Sequence, residues 1–398
     1  MKLSALTLQF SSKENKTLKE ISIGTLKQDL PWDQFLSTDR ASLCLFPATT
    51  IALASQTAQS DPVLWGGAMG IQAPTENDPS LISPAVFAIH LQNVEIFPKA
   101  RLLIYDREFV ISDYLGEGSH EVAQKWLNKK WFIGPITLSR SKTVPPAIHH
   151  FEIGIDFSTD QGDGNVYHWT ARVLPKIKLV RDLPQDIPLV FCQEPTPMQL
   201  ESLRLLNVKN PVLVLEFGAV STFKHYLLVE GPWAGAHLPQ LDFLRENFQK
   251  ALPVISQNHA CGKGSRKIFI YREDQWTRDL SNRAEIKEYL VAQGFETHSF
   301  DDISLQETAD IFSDADEIVF EHGAAGIWLI FAKPSIKVIE LLPERNHITS
   351  KKIADFFYWQ AQALQQNHRY ILGKVEQFEP KLQYSIDLNH LKKLLGSQ

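Results

Sequence analysis

Cysteine is scarce in this chain of 398 residues, with three in all. Cys44, Cys192 and Cys261 are odd in number and far apart, which argues against a disulfide framework and a cysteine-based zinc site and fits a reducing compartment. Long apolar runs are missing as well. The opening MKLSALTLQFSSKENKTLKE has no continuous hydrophobic stretch, and no later segment reaches the roughly 20 residues of a membrane span. A cytoplasmic location is therefore expected, and peripheral attachment to the inner face of the cell membrane, through a partner or a lipid substrate, is compatible with it. Positive charge is not in excess either: 40 Lys and Arg stand against 46 Asp and Glu, a net charge of -6. That balance argues against a nucleic-acid binder that works by general phosphate neutralisation. No G-x-S-x-G, P-loop or H-E-x-x-H pattern occurs, and apart from the Asp-Ala-Asp run at 314–316, which resembles a metal-binding acidic triplet, no cluster has metal-ligand spacing.

What is present is a folded chain, 44% hydrophobic and 22% charged, and long enough for two domains. The first 150 residues carry short alternating runs, VFAIHLQNVEIF, ARLLIYD and EFVISDYL, that read as a mainly antiparallel layer. WGGAMGIQAP at 65–74 lacks dinucleotide-fingerprint spacing and reads as a loop. After residue 163 the period lengthens: Trp169, Val173, Leu174, Ile177 and Leu179 can share a helical face, and TPMQLESLRLLNV starts a helix with Thr196 and Gln199 as a capping box. The polar stretch QNHACGKGSR at 257–266 marks the domain boundary, giving domains 1–256 and 257–398. Beyond it strands alternate with short helices as far as a last strand RYILG, including a helix with Asn282 and Glu285 as capping pair and Gly294 as its stop. Such alternation predicts parallel β-α-β units in a Rossmann-like layer.

Three stretches carry candidate chemistry. EHGAAGIWLIFAKPSIKVIELLP at 321–343 reads as strand, tight turn, short helix and strand, with the helix N-terminus at the carboxyl edge of the sheet where ligands of open α/β folds bind. There His322, Gly323 and Ala324 can meet a diphosphate, and Glu340 can take ribose hydroxyls; a tight structural turn with a satisfied histidine explains the same residues. YREDQWTRDLSNR at 271–283 offers Arg272, Arg278 and Arg283 to phosphate oxygens, or a solvated loop whose acids pair with them. DGNVYHWTARVLPKI at 163–177 puts Asp163, Asn165, Tyr167 and His168 at the mouth of a helix, with His168 as a candidate general base and Asn165 as an equally good cap. The acidic triplet at 314–316 reads as a solvated turn.

In order and spacing the three stretches resemble glycosyltransferase family 61, over about residues 85–372. That family takes in eukaryotic protein O-linked N-acetylglucosaminyltransferases, plant xylan arabinosyl- and xylosyltransferases and many bacterial capsule or lipopolysaccharide enzymes. Asn165, His168 and Trp169 match its first motif, Arg272, Arg278 and Asn282 its second, and His322, Gly323, Ala324, Pro334, Lys337 and Glu340 its third. The family pattern usually has Gly-Leu where this chain has Ala325-Gly326, often Asn at Trp328, and often a second basic residue at Glu273.

The resemblance implies an α/β GT-B-like fold, two Rossmann-like domains facing a cleft, with additional β-strands near the N-terminus. It implies an inverting transfer, free of metal and cofactor, from a nucleotide sugar (a UDP-sugar first) to a hydroxyl of a glycan or lipid-linked acceptor in surface polysaccharide biosynthesis. Arg272, Arg278, His322, Gly323, Ala324, Lys337 and Glu340 would hold the donor, His168 would be the base, and Asp163, Asn165 and Tyr167 would position the acceptor. Two rival readings stand beside it: a non-catalytic nucleotide- or glycan-binding member of the same fold, and a polysaccharide pyruvyltransferase.

Overall fold

The fold is that of a computed structural model, which describes residues 86–98, 102–106, 109–111, 147–158, 165–229, 238–252, 266–273, 278–300, 303–344, 356–379 and 381–396, with short stretches before residue 84. The Gly-rich run at 65–74, the segment 257–265 and Asp163 lie outside the described residues.

The early strands are β1 (Leu6–Gln9), β2 (Asn15–Ile21), β3 (Gln28–Asp29), β4 (Ala41–Phe46), β5 (Thr49–Ala52), β6 (Ser80–Ser83), β7 (Val86–Phe97), β8 (Leu102–Tyr105) and β9 (Phe109–Ile111). The middle of the chain adds β10 (Ile148–Asp156), β11 (Leu189–Phe191), helix α1 (Pro197–Leu205), β12 (Val212–Val214), β13 (Val220–Val229) and helix α2 (Leu238–Ala251). Then follow β14 (Lys267–Ile270), β15 (Arg278–Leu280), α3 (Arg283–Ala292), β16 (Phe295–His298), α4 (Leu305–Asp314), β17 (Glu317–Glu321) and a 3₁₀ helix (Ala324–Ile330). The chain continues through β18 (Lys337–Pro343), α5 (Phe356–Ala363), β19 (Asn367–Gln377), β20 (Leu382–Ser385) and α6 (Leu388–Leu395). RYILG is thus part of β19 and not the last strand: β20 and α6 follow it, the helix capped by Asp387 and stopped by Gly396 in the left-handed region at φ 76°.

Two compact units emerge, one of residues 1–47 and 85–233, the other of 48–84 and 234–398. Residues 234–256, assigned to the first domain by sequence, belong to the second unit. Each unit is built on a mixed sheet.

In the first unit the strand order is β1-β2-β9-β8-β7-β13-β10-β11-β12, with β4 also on β7. The expected antiparallel layer is there in β7, β8 and β9, although β2 joins β9 in parallel. β13, β10, β11 and β12 run parallel. Asn93 breaks the alternation of β7 by taking the left-handed region at φ 55°, which Asn tolerates better than branched residues do. Ile89 and Leu91 are therefore buried before it, and Val94 and Ile96, out of phase with them, after it.

The stretch 166–180 is helical, as its spacing predicts, but not one regular helix. It passes through an α turn (Val166–His168), a π turn (Trp169–Val173), a 3₁₀ turn (Leu174–Lys176) and another α turn (Ile177–Val180). Pro175 lacks an N–H and cannot carry a regular α ladder, so the run changes pitch around it. Trp169, Val173, Leu174, Ile177 and Leu179 are all buried, as one apolar face requires. The predicted capping box of α1 forms in full: Thr196 Oγ1 accepts from Gln199 N–H, and Gln199 Oε1 accepts from Thr196 N–H at 2.8 Å.

In the second unit the order is β15-β20-β19-β18-β17-β14-β16, in which β16, β14, β17, β18 and β19 are mutually parallel. Within that parallel block the order by chain position is 2-1-3-4-5, the doubly wound arrangement whose ligand crevice opens at the carboxyl ends of the first and third strands. Here those are β14 and β17. The 3₁₀ helix leaves β17 and packs on α5 through Gly326, where an added methyl carbon would come within 2.6 Å of the Phe357 ring. We expect Gly326→Ala to lower stability by about 1–3 kcal/mol in urea unfolding and Phe357→Leu in the same chain to recover part of it, because the nearest atoms to the added methyl belong to that ring.

Candidate active site

Arg272 lies two residues past β14 and His322 one residue past β17, and the register pairs Ile270 with Phe320. Both side chains thus start at the same level beside the crevice between the first and third parallel strands. Arg272 Nη1 donates to the carbonyl oxygen of His322 at 3.4 Å. Gly323, in extended backbone, allows this approach, since a methyl carbon there would stand 3.3 Å from both Cδ and Nη1 of Arg272. Arg278 opens β15, and its field reaches Arg272, His322 and Glu340. Its Nε is buried with no hydrogen-bond partner among the described residues. Burial, with the Arg272 guanidinium added to it, holds Arg278 down at about 10. Two cations beside one another, one with an unmet donor, form a site that gains from an anion.

Expected at a strand end facing a ribose, Glu340 instead lies in the middle of β18, 2% exposed and flanked in register by Phe320 and Tyr370. Its Oε1 accepts from His322 Nδ1, and His368 Nε2 stands 3.1 Å from its Oε2. Burial alone would raise the carboxyl, but the imidazoles of His322 and His368 hold it at about 2. Burial pushes the His322 imidazole below its usual range; Glu340 opposes the shift, and the Arg278 and Arg272 guanidinium groups add to it. The neutral His322 therefore carries its proton on Nδ1, toward Glu340. Its backbone N–H also donates to Leu341 O at 2.9 Å, so ring and backbone are both tied to β18.

Glu321, unremarked in sequence beyond its place beside His322, closes the frame. It is 3% exposed and takes a bidentate pair from Arg283, Nε at 2.5 Å and Nη2 at 2.9 Å. Arg283, a third candidate for phosphate, is thereby committed to Glu321, with Asp279 3.4 Å from its Nη1. Tyr384 was missed as well: buried on β20, it donates from its hydroxyl to Leu341 O at 3.2 Å, and burial pushes its phenol above its usual range. Nothing in the sequence spacing joins Tyr384 to this turn. Asn282 does not cap α3 with its side chain; Oδ1 accepts from Ile386 N–H and Nδ2 donates to Ile386 O, as a paired strand would.

Other expectations are displaced. Lys337 begins β18 opposite Glu317, at the amino edge of the parallel strands, and is exposed there, whereas Arg272 and His322 lie past the carboxyl ends. It is not brought together with them. Ala324 opens a 3₁₀ helix and not an α-helix. Trp328 is a core residue, 4% exposed and stacked on Phe331 with centroids 5.4 Å apart. Of the acidic triplet, Ala315 is buried, Asp314 and Asp316 contact Arg266, and Asp316 also pairs with Lys333. Among the described residues no group of His, Cys, Asp and Glu side chains could hold a metal ion.

In the first unit Asn165 caps the helical run, its Oδ1 accepting from Tyr167 N–H at 2.9 Å and His168 N–H at 3.3 Å. Trp169 anchors the turn with Nε1 donating to Ser202 Oγ at 2.9 Å, Tyr167 is buried, and His168 is half-buried with its ring edge-on to Tyr167. Asn165 is thus the cap that the sequence already allowed.

Residues 166–339 match the family model described as Glycosyltransferase 61. The chain carries a glycosyltransferase family 61 domain. It is a glycosyltransferase, which implies a sugar donor and an acceptor. The matched segment holds His168, Arg272, Arg278 and His322 and ends one residue before Glu340. No curated protein matches the chain. The mixed α/β architecture with its two mixed sheets fits a glycosyltransferase of this kind.

Glu340 binds its proton more weakly in the folded chain, at about 2, than at the usual 4.5, and His322 also lies below its usual 6.5. As pH falls the unfolded chain takes up these protons first. Stability from the pair is therefore complete above about pH 6.5, declines as unfolded His322 protonates, and declines further between about 4.5 and 2. Urea midpoints measured from pH 8 to 3 should fall along this course. Glu340→Gln should cost on the order of 3 kcal/mol at pH 7 and flatten the part below about 4.5.

Proposed function

We propose that the chain is an inverting glycosyltransferase that uses a UDP-sugar and neutralises the departing diphosphate with protein cations, without a metal ion. The observation that carries this is the pair Arg272 and Arg278 beside the crevice between β14 and β17, with Arg278 Nε buried and without a hydrogen-bond partner among the described residues. Guanidinium forks suit phosphate oxygens, and stabilising charge on the leaving group is the main electrostatic task of such a transfer. His322 acts as a positioning residue. Locked by Glu340, it fixes the turn whose carbonyl receives Arg272, and Gly323 keeps that approach open. Its proton lies on the Glu340 side, so its ring is not a donor to phosphate in this state. His168 is the proposed base for the acceptor hydroxyl, in a GT-B arrangement with the acceptor on the first unit. The acceptor is a glycan or lipid-linked glycan of surface polysaccharide biosynthesis, worked on in the cytoplasm at the inner membrane face.

UDP should raise the melting temperature of the chain. Arg272→Ala and Arg278→Ala should each weaken UDP by about ten- to a hundredfold, which is the loss of one charge-assisted contact of about 1.5–3 kcal/mol. Arg278→Lys should recover only part of it, because an ammonium lacks the fork. No shift with UDP or any other nucleoside diphosphate would sink the donor assignment. Retention of anomeric configuration in the product would sink the inverting one.

A further inference from the structure

The fold commits one nitrogen of the His322 ring and leaves the other open. Nδ1 is bonded to Glu340, whereas Nε2 makes no hydrogen bond among the described residues. A neutral imidazole with its proton on Nδ1 presents a bare lone pair at Nε2, so this edge of the ring can take up a proton. Charged groups face it from every side of the crevice. Glu340 of β18 bonds the ring directly, and His368 of β19 stands behind that carboxylate. Arg272, past β14, donates to the carbonyl of His322 itself, and Arg278 of β15 acts on the ring through its field. Glu321 precedes the histidine on β17 and is bound to Arg283 of α3, while Tyr384 of β20 donates to the neighbouring Leu341 carbonyl. From α5 the uncharged Phe357 ring lies edge-on, with centroids 5.5 Å apart. The Arg278 and Arg272 guanidinium groups oppose a proton on the ring, and Glu340 favours it.

We propose that His322 is a catalytic residue as well as a positioning one: a nucleoside diphosphate held by Arg272 and Arg278 brings a proton from solvent onto Nε2, and the new N–H donates to the departing diphosphate. This rests on the reading of the donor as a UDP-sugar. Bound phosphate neutralises the two guanidinium groups and adds negative charge of its own, which makes the imidazolium the favoured form. It is then held by Glu340 at Nδ1–H and by a phosphate oxygen at Nε2–H. In the transfer the bond from the anomeric carbon to the phosphate oxygen breaks and its electron pair stays on that oxygen, facing Nε2–H. The bond from the acceptor oxygen to the anomeric carbon forms as the acceptor hydroxyl gives its proton to a base. When UDP leaves, Nε2 returns its proton to solvent. A backbone carbonyl would orient a neutral ring equally well at less cost; a buried carboxylate has the further property of stabilising the ring once it is charged.

Calorimetric titration of the full chain with UDP at about pH 7.5, in buffers of different ionisation heat, counts the protons exchanged on binding. The terminal phosphate of UDP is already ionised there, since such groups titrate near about 6, so UDP itself takes up none. Uptake of between about half a proton and one is expected. The complex holds that proton more tightly than the unliganded chain, so affinity should fall by up to about tenfold per pH unit above pH 7, until the bound ring itself loses it. His322→Gln should bind UDP more weakly, with neither the uptake nor that pH dependence, a readout that loss of packing alone would leave unchanged. Should this variant not fold, spectra of the natural chain with nitrogen-labelled histidine decide: UDP should convert one imidazole from the neutral Nδ1–H form to the imidazolium. UDP binding without uptake, uptake retained in His322→Gln, or no imidazole changing state overturns the proposal and leaves the donor assignment standing. If UDP and other nucleoside diphosphates all fail to bind, the donor assignment falls and this inference falls with it.

Discussion

A single buried carboxylate in the middle of a parallel strand organises the second unit's ligand edge. Glu340 is enclosed by strands on both sides, and an unpaired charge there would cost several kcal/mol. It is retained because His322 and His368 reach it. The consequence passes outward through covalent geometry: the His322 ring cannot leave Glu340, so the turn after β17 cannot drift, and the His322 carbonyl that receives Arg272 is fixed with it. A second buried pair, Glu321 with Arg283, fastens the residue before the turn to the start of α3.

Beside these pairs stand Arg272 and Arg278, the latter with its Nε buried and without a hydrogen-bond partner among the described residues. Packing two guanidinium groups together, one with a buried unbonded nitrogen, opposes folding. Such an arrangement persists only when the surrounding structure over-determines it, and it is the kind of local deficit that an anionic ligand relieves. Part of the stability supplied by Glu340 and Glu321 is in effect used to hold this unfavourable pair in place.

The second unit was legible in sequence because its signals are local. The Ser304–Glu307 capping box of α4, a glycine stop at Gly294 and β-branched runs of four to seven residues each predict one element, and the alternation of elements predicts the parallel sheet. Arg272 and His322 were legible as site candidates because each follows a recognisable strand. The roles of His322 and Glu340 were not, since a strand residue's partner is set by register: Glu340 meets His322 only because β18 lies in parallel beside β17 with Phe320 opposite Glu340. Tyr384 and His368 come from strands whose order in the sheet leaves no spacing signal in the chain. In the first unit Asn93 and Pro175 each interrupt a period through a single backbone property, and pattern counting cannot foresee where the chain yields to it.

The departures from the family pattern around residues 325–328 make sense as packing. Gly326 stands where a side chain would strike Phe357, and Phe357 in turn lies edge-on to both Phe320 and the His322 ring, at 5.7 and 5.5 Å between centroids. Removing a side chain at 326 therefore lets α5 bring an aromatic ring against the histidine, which adds to the burial that keeps it neutral and bonded to Glu340. Trp328, stacked on Phe331, which meets Phe248 of α2, fills the inner side of the same short helix. Both changes act on the support of the turn and leave Arg272 and Arg278 in place. The support of the turn is thereby repacked, with the small residue at the place where two aromatic layers meet.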